Sequence, residues 1–168
     1  LKTFGHYKNL IHFKGEVICG NINNKSDLAI LDDYKFDYIF HHAAISDTRV
    51  YDQQLIMQTN VNSFYAILEI AKKDGAVIVY ASSAATYGSL PSPQTEGIES
   101  PENPYGYSKL LMDQIAIRFS YQNPDMTIVG LRFFNVYGPK EFYKAKVIDN
   151  TFPNYILENL EKYQEWIK

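Results

Sequence analysis

Tyr105 and Lys109 place a phenol and an ammonium four positions apart in the stretch Tyr105-Gly106-Tyr107-Ser108-Lys109. On a helix, residues at i and i+4 share a face and lie close enough to interact. A phenol is almost fully protonated near neutral pH and an adjacent cation favours its ionised form, so such a pair can serve as a base. Tyrosine is common here, with 14 in the chain, and one Tyr-x-x-x-Lys alone equally describes a surface aromatic beside a solvated lysine. The upstream run Ala81-Ser82-Ser83-Ala84-Ala85-Thr86-Tyr87-Gly88 narrows that choice. It follows the apolar Val77-Ile78-Val79-Tyr80 and so sets hydroxyls at the carboxyl end of a strand, where open α/β sheets bind ligands.

The elements that must position these groups can be read from periodicity and breakers. Pro104 suits the start of a helix, the apolar set Leu110, Leu111, Ile115, Ile117 and Phe119 carries it to about Tyr121, and Asn123-Pro124 stops it. Thr127 to Phe133 reads as a strand, followed by a loop at Asn135 to Pro139. Upstream, Glu16 to Gly20 reads as a short buried strand, Asn21 to Asn24 as a loop, and Ser26 as the N-cap of a short amphipathic helix with Leu28, Ile30 and Leu31. Phe36 to Ala44 reads as a second buried strand, ending in small residues that let a ligand approach the backbone. Leu55 to Lys73 has a helical period closed by Gly75. Within it lie Thr59 and Asn60, and asparagine is a poor mid-helix residue unless its side chain makes a contact or faces solvent. Ser89 to Pro104, with four prolines, reads as a structured loop or lid. Strands alternating with helices predict an α/β fold with a parallel, doubly wound sheet and right-handed crossovers. The loops at residues 42–46, 82–88 and 135–139 would then share one edge.

Composition excludes several classes. The 168 residues, 46% hydrophobic and 21% charged, suit one domain with a sizeable core. A net charge of -3, with lysine and arginine scattered singly, gives no basic face for nucleic acid or an anionic membrane. The lone Cys19 excludes an internal disulfide and a multi-cysteine metal site, so a reduced cytoplasm is the default expectation. No run of 18 apolar residues and no signal peptide is found, although the chain begins with Leu1. His41 and His42 are adjacent on a strand and point to opposite faces, so no metal site is expected from them.

Three motifs in order resemble the extended short-chain dehydrogenase/reductase family of nucleotide-sugar epimerases and dehydratases. They are Ser82-Ser83-Ala84-Ala85-Thr86-Tyr87-Gly88, Pro104-Tyr105-Gly106-Tyr107-Ser108-Lys109 and Arg132-Phe133-Phe134-Asn135-Val136-Tyr137-Gly138-Pro139. Within the family, Asn135 to Lys140 and a lysine at position 144 make the ADP-heptose 6-epimerase branch the most similar, over roughly residues 5 to 146. The resemblance implies a Rossmann-like fold and transient NADP-dependent oxidation of the sugar at C6, with NAD also possible. Reduction from the other face follows, without net redox change, to make heptose for the lipopolysaccharide core. It implies that Tyr105 is the catalytic base, that Lys109 assists it and holds the nicotinamide ribose, and that Ser83 hydrogen-bonds the reacting sugar oxygen. It further implies Lys144 as a second acid/base, Asn135 as a substrate contact, and Asn21 and Ile22 as the adenine contact. His42, Ala43, Ala44, Ile45 and Ser46 would line the cofactor, joined by Thr59, Asn60 and Val136. A nucleotide-sugar substrate and a homo-oligomer, with neither nucleic acid nor membrane as partner, are the implied partners.

Departures from the family pattern accompany the match. Asn21 stands where the family usually has Asp, and its side chain can still hydrogen-bond. No Gly-x-x-Gly-x-x-Gly loop occurs, the element whose N–H groups receive the cofactor pyrophosphate. The expectation is a partial Rossmann domain over residues 1–146, incomplete at its N-terminus and without the C-terminal substrate domain. A divergent tail over 147–168 would follow, with an amphipathic helix from Asn154 to Ile167. Alternatives are an inactive remnant or binding fragment of such an enzyme, and a UDP-hexose 4-epimerase.

Overall fold

The computed structural model describes residues 10–136. Lys144, Tyr137 to Pro139 and the tail from residue 147 lie outside the described residues. The chain divides into one unit made of Leu1–Val17 and Asn135–Lys168 and another made of Ile18–Phe134. In the first, a turn at residues 10–13 is closed by the Phe13 N–H donating to the Leu10 carbonyl at 2.9 Å, and residues 13–17 are exposed and irregular. The stretch from Glu16 to Gly20 is not a strand. Val17 and Ile18 are exposed and no described strand pairs with them, so their β propensity has no ladder to join.

The second unit holds a three-stranded parallel sheet in the order β1-β2-β3, formed by Tyr38–His41, Val77–Ser83 and Ile128–Phe133. Register places Tyr38 beside Val77, Val79 beside Val129 and Ser82 beside Arg132. Because side chains alternate along a strand, Ile39, His41, Ile78, Tyr80, Ser82 and Arg132 share one face. That face is covered by helices, and among the described residues the opposite face is open: Tyr38, Phe40, Val129, Leu131 and Phe133 are exposed. β1 is therefore shorter and less buried than the run from Phe36 to Ala44 predicts. An apolar run has the composition of a strand covered on both faces, whereas this sheet has one covered face.

Short helix α1, Lys25–Ala29, is capped by Asn24 rather than Ser26. The Asn24 side chain accepts from the Ser26 N–H at 3.0 Å and from the Ser26 hydroxyl at 2.7 Å, which places Ser26 inside the first turn. The predicted helix over 55–73 is a longer composite: α2, Gln53–Ile56, a π-helical segment, Met57–Asn62, and α3, Ser63–Asp74. Asp52 caps it, and Gly75, at φ 68°, ends it in the left-handed conformation that glycine tolerates. Helix α4, Pro104–Gln122, is capped by Asn103, whose side chain accepts from the Gly106 N–H at 2.8 Å. Its buried face holds Ser108, Lys109, Met112, Asp113, Ala116 and Phe119, while Ile117 points to solvent. Counting apolar residues misplaces this face because three of its members are polar. Phe64, Ile67, Leu68 and Ala71 of α3 join Met112, Ala116 and Phe119 of α4 over Ile78 and Tyr80 to form the core. Each large side chain buried there contributes about 1.5–3 kcal/mol.

Candidate active site

Parallel pairing brings the carboxyl ends of all three strands to one edge, and the chain departs from β2 there in a tight 3-10 turn, Ala84–Thr86. Ser83 caps that turn: its Oγ accepts from the Ala85 N–H at 3.1 Å, and its carbonyl accepts from the Thr86 hydroxyl at 2.8 Å. The Ser83 hydroxyl proton then has no acceptor among the described residues, which leaves a nearly buried donor at the strand end. The start of α4 lies directly against this turn. A Cβ on Gly106 would stand 2.5 Å from the Ala85 carbonyl oxygen, so only glycine permits the approach. Strand end and helix start are thereby held together by backbone contact.

Lys109, one turn after Tyr105, is 2% exposed and donates from Nζ to the Ala81 carbonyl at 2.6 Å. Its ammonium also lies 5.9 Å from the centre of the Tyr105 ring, within cation–π range. Burial pulls the Lys109 pKa down to about 8, against the opposing field of Asp113. Tyr105 is only partly buried, and its hydroxyl makes no hydrogen bond to a described residue. The pair is thus a buried cation beneath a reachable phenol.

Asn60 is fully buried in the π-helical segment. Its Oδ1 accepts from the Ile45 N–H at 2.8 Å, and its Nδ2 donates to the Ile45 carbonyl at 3.0 Å and to Ser108 Oγ at 2.9 Å. Ser108 in turn donates to the Tyr105 carbonyl at 2.7 Å. The side-chain contact foreseen for this asparagine is therefore present, and the solvent-facing alternative is not. Next to it, Thr59 Oγ1 accepts from Asn23 Nδ2 at 2.9 Å. Two neighbouring residues of one π bulge, a feature that often marks functional positions, tie the 21–24 loop, the loop after β1 and the first turn of α4 to a common point.

The other sequence-predicted residues distribute as follows. Asn21 is exposed, and its Oδ1 accepts from the Asn23 N–H at 3.0 Å; Ile22 is half-buried beside it. His42, Ala43, Ala44, Ile45 and Ser46 form the loop leaving β1, with His42 exposed and its ring 6.3 Å from that of Phe133. His41 lies on the opposite face, buried and stacked on Phe64 at 5.5 Å. Burial first, then the charges of Lys109 and His42, lower its pKa to about 4. No cluster of three or more metal-ligating side chains occurs among the described residues. Asn135 and Val136 are exposed and belong to the other unit.

Sequence reasoning missed the polar cluster beneath the site. Asp113 accepts from Tyr80 Oη at 2.9 Å, Ser82 Oγ at 3.0 Å and Arg132 Nε at 2.9 Å. Arg132 also pairs with Glu99 at 2.7 Å and sets its guanidinium carbon over the Tyr87 ring, 4.9 Å from the ring centre. Burial and the Asp113 charge raise the Tyr80 pKa, which keeps that phenol a donor. The spacing Tyr105, Lys109, Asp113, one helical turn at each step, was the available signal.

Comparison with known proteins places this geometry in a family. Helicobacter pylori ADP-L-glycero-D-manno-heptose-6-epimerase superposes with a TM-score of 0.79 and 51% identity, covering 88% of this chain and 47% of that one. MoeE5 in complex with UDP-glucose and NAD is 28% identical, with a TM-score of 0.65 over 76% of this chain and 44% of its own. The UDP-Glc/GlcNAc 4-epimerase from Campylobacter jejuni is 26% identical, with a TM-score of 0.65 over 77% and 41%. The chain thus spans less than half the length of each of these structures. No described helix is long and apolar enough to cross a membrane. Residues 2–165 match the NAD dependent epimerase/dehydratase family, and this chain belongs to that family.

Proposed function

We propose that this chain carries the acid/base centre of a nucleotide-sugar epimerase that converts ADP-D-glycero-D-manno-heptose to ADP-L-glycero-D-manno-heptose at C6, with NADP or NAD as cofactor. The observation that carries the reading is Lys109, buried beneath Tyr105 and anchored on the Ala81 carbonyl at the β2 end that presents Ser83. The described residues fit the reactive end of a nicotinamide cofactor. The Lys109 ammonium uses one of its donors on Ala81 and keeps others for ribose hydroxyls, and the Asn60-anchored loop at Ala43 and Ala44 has no bulky side chain to block an approach. When bound, the nicotinamide supplies reversible oxidation of a sugar carbon.

Within that scheme, Tyr105 takes the proton of the sugar hydroxyl as the carbon is oxidised and returns it when the carbonyl is reduced. Ser83 donates its free hydroxyl proton to the same oxygen, and Lys109 holds positive charge beside the phenol while it is ionised. General acid/base help of this kind contributes about 10²–10⁴-fold. Lys144 and Asn135 are proposed as the second acid/base and a substrate contact. The 51% identity with the heptose epimerase, against 26% for the UDP-sugar 4-epimerase, favours the ADP-heptose substrate. A fluorescence titration of the purified chain with NADPH and NADH, followed by NMR of its products from ADP-heptose and UDP-glucose, tests the reading. Cofactor binding with epimerised ADP-heptose supports it; no binding at millimolar cofactor, or turnover of UDP-glucose alone, refutes it.

A further inference from the structure

Arg132 lies on the helix-covered face of β3, opposite Ser82 in register, with its side chain 17% exposed. It has three partners from three segments. Nε donates to Asp113 on α4 at 2.9 Å, Nη2 pairs with Glu99 in the 89–103 loop at 2.7 Å, and the guanidinium carbon lies 4.9 Å from the Tyr87 ring centre just after the Ser83 turn. Burial opposes its charge, and the hydrogen bonds it donates to Glu99 and Asp113, with the charge of Asp113, outweigh that cost and raise its pKa. The Glu99 and Asp113 side chains are 12% and 10% exposed, so these pairs are poorly screened by solvent. Beside Glu99, the Ser100 N–H donates to the Thr86 carbonyl at 3.0 Å, which returns the loop to the same turn.

A planar guanidinium can serve two carboxylates and a ring together, which a lysine ammonium cannot do with fixed geometry. Two of the catalytic candidates flank what it grips: Ser83 lies four residues before Tyr87, and Lys109 precedes Asp113 by one helical turn. We infer that Arg132 is a positioning residue. By holding Asp113, Glu99 and Tyr87 at once, it clasps the 89–103 loop and the Ser83 turn to the helix that bears Tyr105 and Lys109. For its place in a reaction, the inference rests on the function proposed above. The clasp itself does not.

The test uses the full chain labelled with [13Cε]lysine, as wild type, Glu99→Gln, Arg132→Lys and the double variant. Amide exchange over residues 87–102 is expected to quicken about tenfold in each single variant, with exchange in α3 within about twofold of wild type. The Lys109 13Cε resonance is expected to move in Glu99→Gln although Glu99 lies outside α4. The double variant should open the loop no further than the worse single one. Glu99→Gln leaves Arg132 paired with Asp113, so it keeps the test open if Arg132→Lys fails to fold. Loop exchange that stays within about twofold of wild type, an unmoved Lys109 resonance, or an increase as large in α3 as in the loop would overturn the inference. A wild-type chain that binds no nicotinamide refutes the functional reading instead, and the exchange data still decide the clasp.

Discussion

Replacing Asn60 by alanine removes three hydrogen bonds at one buried point: two to the Ile45 backbone and one to Ser108. A net hydrogen bond is worth about 1 kcal/mol, and a buried backbone group left without a partner costs about 1–3 kcal/mol. The Ile45 N–H and carbonyl both lose their partner, so a loss of about 3 kcal/mol is expected, near the lower end of that sum because the 42–46 loop can turn toward water. For a chain of 168 residues, this corresponds to a fall of about 6–12 °C in Tm at roughly 2–4 °C per kcal/mol. Urea denaturation gives the free energy, and exchange of the Ile45 amide locates it. Asn60→Asp keeps the acceptor for the Ile45 N–H but sets a carboxylate oxygen against the Ile45 carbonyl, and Ser108 can donate to that oxygen only by releasing the Tyr105 carbonyl, so it should not restore wild-type stability. A loss below about 1 kcal/mol with unchanged Ile45 exchange would refute the account of the π bulge as the point that ties loop to helix.

Other perturbations follow from the same geometry. His41 has a folded pKa of about 4 against 6.5 for the free side chain, so the unfolded chain takes the proton first as pH falls. Stability should therefore drop between pH 6.5 and 4 by about 3 kcal/mol, and His41→Gln should flatten that part of the curve; equal acid sensitivity in both proteins counts against it. Lys109 behaves in the same sense at higher pH, with a folded pKa of about 8 against 10.5. From pH 8 to 10.5 the folded chain sheds a proton that the unfolded chain keeps, so wild type should gain stability relative to Lys109→Met across that window, as denaturation at stepped pH would record. Gly106→Ala sets a Cβ 2.5 Å from the Ala85 oxygen and must push α4 from the Ser83 turn, costing about 1–3 kcal/mol; a fully stable alanine variant would contradict that contact.

Much of this arrangement was legible in the chain itself. The runs Val77 to Tyr80 and Thr127 to Phe133 became β2 and β3 because apolar residues bounded by turn residues have few other uses, and Pro104 and Asn123-Pro124 bracket α4 as breakers should. Asn60 was conspicuous as an asparagine inside a helical period. Its partners were not legible, because Ile45 and Ser108 lie 15 and 48 positions away and contribute a backbone group and a common residue. Asp113 escaped notice, and Arg132 entered only as part of a motif, for a related reason: a charged residue reads as solvated unless the tertiary fold brings its partner. Glu16 to Gly20 failed in the opposite sense, since local propensity makes a strand only where a second strand supplies the ladder.

In the proposed reaction, Tyr105 moves the proton of the sugar hydroxyl while Lys109 holds charge beneath it. Conversion of ADP-D-glycero-D-manno-heptose by the purified chain with saturating NADP or NAD, compared between wild type and Tyr105→Phe, tests this directly. The phenylalanine variant should bind the nicotinamide within about twofold of wild type and convert the sugar at least about a hundredfold more slowly. A Tyr105→Phe protein as fast as wild type would remove Tyr105 from the chemistry and contradict the account.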